Sequence, residues 1–108
     1  MTRKPDAKNF GLKPEILGQL NRLFISYPEI DTVVLYGSRA KGTYHPGSDI
    51  DITIKGEHVS DSLIGKLVEE IDDLLLPYSF DISTWSQIDN PDLLDHIERV
   101  GVVIYQRH

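Results

Sequence analysis

The chain has 108 residues, 40% of them hydrophobic, no cysteine, and a formal net charge of −6. That length fits one domain with a single modest core, and the lack of cysteine excludes disulfides, zinc–thiolate sites and thiol nucleophiles. The acidic balance argues against a chain whose main task is holding a nucleic-acid backbone, because phosphate neutralisation needs a basic face.

Residues 1–12 are polar, carry Pro5 and Gly11, and read as a flexible leader ahead of a single domain spanning 13–108. The first thirty residues lack the apolar core of a signal peptide, and no apolar run approaches bilayer length, so a soluble cytoplasmic protein without membrane contact is expected. Pro14 suits a first helical position, and Ile16, Leu17, Leu20, Leu23 and Phe24 recur at helical spacing until Pro28 ends the segment. Thr32 to Tyr36 is apolar and rich in β-branched residues, which predicts a buried strand stopped by Gly37. The stretch from Gly37 to Gly47 reads as a turn-rich connection. From Ser48 to Ile54 the chain alternates, with Asp49, Asp51 and Thr53 on one face and Ile50, Ile52 and Ile54 on the other.

Leu63, Ile64, Leu67, Val68, Ile71, Leu74 and Leu75 form the stripe of a second helix closed by Pro77. The acids Glu69, Glu70, Asp72 and Asp73 fall outside that stripe and read as a solvated face. Tyr78 to Trp85 alternates as a strand, with Asp81 and Ser83 opposite Phe80 and Ile82. Asn90-Pro91 opens a short helix carrying Leu93, Leu94, Ile97 and Val100 before Gly101, and Val102 to Tyr105 reads as a last strand.

The order α-β-β-α-β-α-β predicts an α+β fold, a small mixed sheet with helices packed on one face. The link from Ser38 to Gly47 is short for a parallel crossover, so strands one and two are expected to be antiparallel. The link from Lys55 to Tyr78 holds a whole helix, so strands two and three can be parallel neighbours. Asp81 then lies beside Asp49 and Asp51, next to the Gly37 turn.

Three such carboxylates are unfavourable alone, since two unit charges about 4 Å apart repel by roughly 4 kcal/mol at an effective dielectric near twenty. A divalent cation offsets that repulsion. Magnesium takes hard oxygen ligands, commonly one or two carboxylates with substrate phosphates completing the shell. Asp49 and Asp51 can face one ion or bridge two, and Asp81 can hold the second and take the proton of an attacking hydroxyl, as in two-metal displacement. An isolated Asp-x-Asp is most simply two solvated acids on an exposed strand, but here Gly37-Ser38 precedes it. Gly37 lets backbone amides approach a phosphate, Ser38 offers a hydroxyl, and Arg39 a planar cation. A P-loop fails because Thr43-Tyr44 follows Gly42. An EF-hand loop fails because Ile54 and Ser60 occupy its required glycine and glutamate positions.

Leu35-Tyr36-Gly37-Ser38-Arg39-Ala40-Lys41-Gly42, followed by Ser48-Asp49-Ile50-Asp51-Ile52, resembles the signature of the DNA polymerase β nucleotidyltransferase superfamily, and the size is similar to its minimal nucleotidyltransferase (MNT) branch. The resemblance implies that Gly37 and Ser38 contact the triphosphate of ATP or another nucleoside triphosphate. It further implies that Asp49 and Asp51 bind catalytic magnesium, that Asp81 is the third carboxylate, and that Arg39 is a basic nucleotide contact. MNT proteins are commonly paired with a HEPN-domain protein as toxin and antitoxin, some transferring AMP to a tyrosine of that partner. The resemblance therefore implies a hetero-oligomer with a HEPN partner. The competing reading is a binding module that neutralises a partner by contact alone.

The histidines His45, His58, His96 and His108 show no ligand spacing. Tyr36 reads equally as a core residue or a neighbour of the nucleotide. Lys41 reads as an exposed loop lysine, and Trp85 as ordinary packing.

Overall fold

The computed structural model describes residues 10–107. Helix α1 (Pro14–Ile25) starts with proline at its first position and buries Ile16, Leu20 and Phe24, one residue per turn. Strand β1 (Thr32–Tyr36) runs directly into a short helix α2 (Gly37–Lys41). Strand β2 covers Ile50–Lys55, helix α3 Asp61–Asp73 and strand β3 Phe80–Thr84. A single 3-10 turn (Trp85–Gln87) leads to helix α4 (Pro91–Val100) and strand β4 (Val102–Gln106).

Capping fixes two of these starts. The Ser60 hydroxyl accepts the Leu63 amide ahead of α3, and Asn90 Oδ1 accepts the amides of Asp92 and Leu93 ahead of α4. Helix α3 ends at Asp73, so the last two residues of the expected stripe, Leu74 and Leu75, lie beyond it. Leu75 lies in the left-handed region at φ 56° and is 87% exposed, because the chain must leave the helix before Pro77.

The sheet has the order β3-β2-β1-β4. β1 is antiparallel to β2, from Thr32 opposite Lys55 to Tyr36 opposite Asp51. β2 and β3 are parallel, with Asp51 opposite Asp81. β4 closes the other edge antiparallel to β1, with an irregularity between Val33 and Val34. These pairings match the strand directions expected from the link lengths.

Alternation divides the sheet into two faces. Val33, Leu35, Ile50, Ile52 and Ile54 pack with Leu20 and Phe24 of α1 and Leu67 and Ile71 of α3 in the main core. Val34 and Tyr36 face the other way and meet Ile97, Leu93 and Val100 of α4, with Trp85 and Ile88. Helices on one face therefore describes α1 and α3 but not α4. The apolar stripe of α4 needs its own covering surface, and the main face is already filled by the other two helices.

Of the expected leader 1–12, residues 1–9 lie outside the described residues. Its end is packed: Phe10 and Leu12 are buried in the main core. The Phe10 carbonyl accepts a bond from Arg39. Among the described residues no helix is long and apolar enough to cross a membrane.

Candidate active site

Asp51 follows Ile50 at the start of β2, and Asp81 stands beside it in register on β3. Parallel neighbours in register point their side chains to the same side. Asp49, two residues before Asp51, lies just ahead of β2. Asp49 and Asp81 are exposed and Asp51 is half-buried. Burial first, then the charges of Asp81 and Asp49, push the Asp51 carboxyl above its ordinary value.

The floor of the site is Gly37. Its φ of 78° is left-handed, and a Cβ placed there would overlap Oδ2 of Asp51. The backbone conformation favours glycine at this position, and any side chain there would also displace the Asp51 carboxylate. Ser38 opens the next turn, and its carbonyl accepts the amides of Gly42 (2.9 Å) and Thr43 (3.0 Å), closing α2 at the left-handed Gly42.

Arg39 lies elsewhere. It is 2% exposed. Its Nε and Nη2 donate to the Ser48 carbonyl (3.2 and 2.9 Å) and Nη1 to the Phe10 carbonyl (2.9 Å). Its guanidinium carbon lies 5.2 Å from the ring centres of both Tyr44 and Tyr78. Arg39 is therefore a buried tie joining the loop before β2 to the start of the domain, and not a cation turned toward the carboxylates. The side chain leaves α2 on the main-core side, where planar donors can satisfy backbone carbonyls that water cannot reach.

Two further groups reach the site: Tyr36, which reads equally as core or as a neighbour of the nucleotide, and His96, which spacing does not reveal. Tyr36 is buried, and burial, Asp81 and Asp51 push its hydroxyl above the ordinary 10.0 while Ser83 opposes them. His96, on α4, accepts the Gly37 amide at Nε2 (3.1 Å) and meets the Tyr36 ring edge-on, centroids 6.2 Å apart. No local signal could have placed His96 there, since the contact spans 59 residues. It depends on α4 covering the polar face of the sheet. The other histidines do not join. His45 and His58 are exposed, and His108 lies outside the described residues. Lys41 is exposed, and Trp85 is half-buried with the Lys55 ammonium 4.3 Å from its ring centre.

Among the described residues the one ion pair is Arg99 with Asp95, so no side-chain cation neutralises the three carboxylates. Nor, among those residues, do three acidic or imidazole groups form a ready-made metal shell. Exposed like charges splay apart when nothing draws them together. The donor set still suits magnesium, which takes one or two carboxylates and completes its shell from phosphates and water. Asp49 and Asp51 would be that pair, with Asp81 in register beside Asp51. The site is an open shelf at a sheet end. A depression of about 590 Å³ lined by Tyr27, Glu29, His58, Lys66 and Glu70 contains none of these carboxylates. Its lining mixes acidic and basic side chains.

Residues 18–108 match the family described as Polymerase beta, Nucleotidyltransferase. No curated protein matches the sequence. Solved structures share the fold, among them these three. A toxin–antitoxin crystallised with AMP-PNP is 20% identical at a TM-score of 0.66, covering 90% of this chain and 76% of that one. The complex of a tri-AMPylated Shewanella oneidensis HEPN toxin with an MNT antitoxin is 15% identical at a TM-score of 0.63, covering 86% and 71%. A nucleotidyltransferase structure from Sulfolobus solfataricus is 20% identical at a TM-score of 0.54, covering 99% and 93%. With the Gly37-Ser38 turn, the paired strand carboxylates and a family match over most of its length, the chain belongs to the polymerase beta nucleotidyltransferase family.

Proposed function

We propose that the protein transfers AMP from ATP to a hydroxyl, that of a tyrosine, of a HEPN-type partner and acts as that partner's antitoxin in the cytoplasm. The observation that carries the chemistry is the in-register pair Asp51 and Asp81, with Asp49 adjacent and Gly37 leaving room against Asp51. Asp49 and Asp51, with Asp81, would hold magnesium, which when bound neutralises the triphosphate and the charge that develops on its leaving group.

The chain's own groups then have separate tasks. Gly37 and Ser38 form the turn against which the triphosphate lies. Asp81, exposed on an edge strand, is reachable from solvent and accepts the proton of the incoming hydroxyl. The hydroxyl oxygen bonds to the α-phosphorus, the bond to the bridging oxygen breaks, and pyrophosphate leaves. The openness of the shelf, with Asp49 and Asp81 exposed, supports an acceptor delivered by another protein. The relatives that share the fold support the same partner class, one being an MNT antitoxin bound to a tri-AMPylated HEPN toxin.

The test uses ATP labelled on the α-phosphate, magnesium, the purified protein and a HEPN-domain protein encoded beside it. Label is expected on that protein and is expected to disappear with Asp51→Asn or Asp81→Asn. A stable complex that takes up no label would refute transfer and leave neutralisation by contact.

A further inference from the structure

The amide of Gly37 is the first N–H of α2 and has no partner within that helix. The residue before it, Tyr36, makes no side-chain cap bond, so the loop itself supplies no acceptor. The acceptor comes from α4, as Nε2 of His96 at 3.1 Å. An imidazole accepting at Nε2 carries its proton on Nδ1. Its ring is held by the edge-on contact with Tyr36, the residue that leads into the turn, at an interplanar angle of 82°. The apolar contacts of α4 are made by Ile97 with Leu93 and Val100. One side chain thus grips the turn at two consecutive residues, Tyr36 through its ring and Gly37 through its amide.

The geometry points to His96 as a positioning residue for the nucleotide turn: by accepting the Gly37 amide it holds the left-handed glycine against Asp51 and sets where Ser38 stands. The inference rests on the nucleotide-binding reading above. It assigns the Gly37 amide to the protein's own scaffold, and leaves Ser38 and the amides after it to face the triphosphate. Without the acceptor, the first turn of α2 is free to rotate about a glycine, and the pre-set shape of the shelf is lost.

The experiment measures the affinity of AMP-PNP with magnesium by calorimetry for the wild type, His96→Leu and His96→Gln. Each is held well below its melting temperature, so that loss of fold does not enter the affinity. AMP-PNP removes the need for an acceptor protein. His96→Leu keeps bulk and removes the acceptor, and is expected to weaken binding about tenfold, the scale of one unsatisfied amide. His96→Gln restores an acceptor at similar reach and is expected to stay within about threefold of wild type by the same scale. Wild-type binding with an unchanged His96→Leu overturns the inference and leaves the nucleotide reading standing. A glutamine variant as weak as the leucine variant also overturns it, since ring shape and not the acceptor would then matter. A wild type that neither binds AMP-PNP nor transfers label overturns the proposed function and this inference with it.

Discussion

Replacing Gly37 by alanine tests the central packing relation of the site without assuming any reaction. Two costs arise. The backbone is held at φ 78°, and a non-glycine residue kept in the left-handed region loses about 1–2 kcal/mol. The new methyl also meets Oδ2 of Asp51, and displacing that carboxylate from its rotamer adds about 1 kcal/mol. Together these lower stability by about 2–3 kcal/mol, which for a domain of this size lowers Tm by about 10–20 °C. The assay is thermal or urea unfolding followed by circular dichroism, run also in an Asp51→Ala background. There the carboxylate is gone, so the glycine substitution should cost about 1 kcal/mol less while the backbone component persists. Equal costs in both backgrounds would refute the claimed contact, and an unchanged Tm for Gly37→Ala alone would refute the backbone argument too.

Asp51→Asn should raise stability at neutral pH. A carboxyl whose pKa is raised in the folded state costs stability once ionised, so the folded protein is relieved below the ordinary 3.8 and loses stability as pH climbs through the raised value. The gain over wild type should therefore be full at pH 7 and vanish below about pH 4 in unfolding curves, and a variant less stable than wild type at pH 7 would contradict the burial argument. Arg39→Lys keeps the charge but cannot reproduce three donor contacts to the Ser48 and Phe10 carbonyls. It should cost about 2–3 kcal/mol in chemical denaturation, and a neutral result would place Arg39 in solution. Tyr27→Phe removes the hydroxyl bond to Glu70 that ties the end of α1 to α3. A loss of about 1 kcal/mol is expected from unfolding midpoints, and none if Glu70 is merely solvated.

Much of the fold was legible locally. The period of Ile16, Leu20 and Phe24, the alternation of Ile50, Ile52 and Ile54, and the prolines at 14 and 91 each mark an element through spacing or a fixed dihedral. The strand directions followed from link lengths. The Gly37–Lys41 helix was not legible, because five residues hold too few turns to show a period. Glu70 read as solvated because its sequence neighbours are acids, yet it takes the Tyr27 hydroxyl across 43 residues.

The candidate site divides in the same way. Asp49, Asp51, Gly37 and Ser38 form a motif within fifteen residues, and their chemistry can be read from type and spacing alone. Arg39 sits within that motif, but its direction was set by burial: the carbonyls of Phe10 and Ser48 and the rings of Tyr44 and Tyr78 enclose it. His96 shows the converse, a residue with no local signal brought to Gly37 because α4 covers the second face of the sheet. Amino-acid order determined which groups could carry the chemistry, since periodicity and backbone preference act over a few residues. Which of them meet was decided by the tertiary structure, because strand register and the choice of face depend on partners tens of residues away.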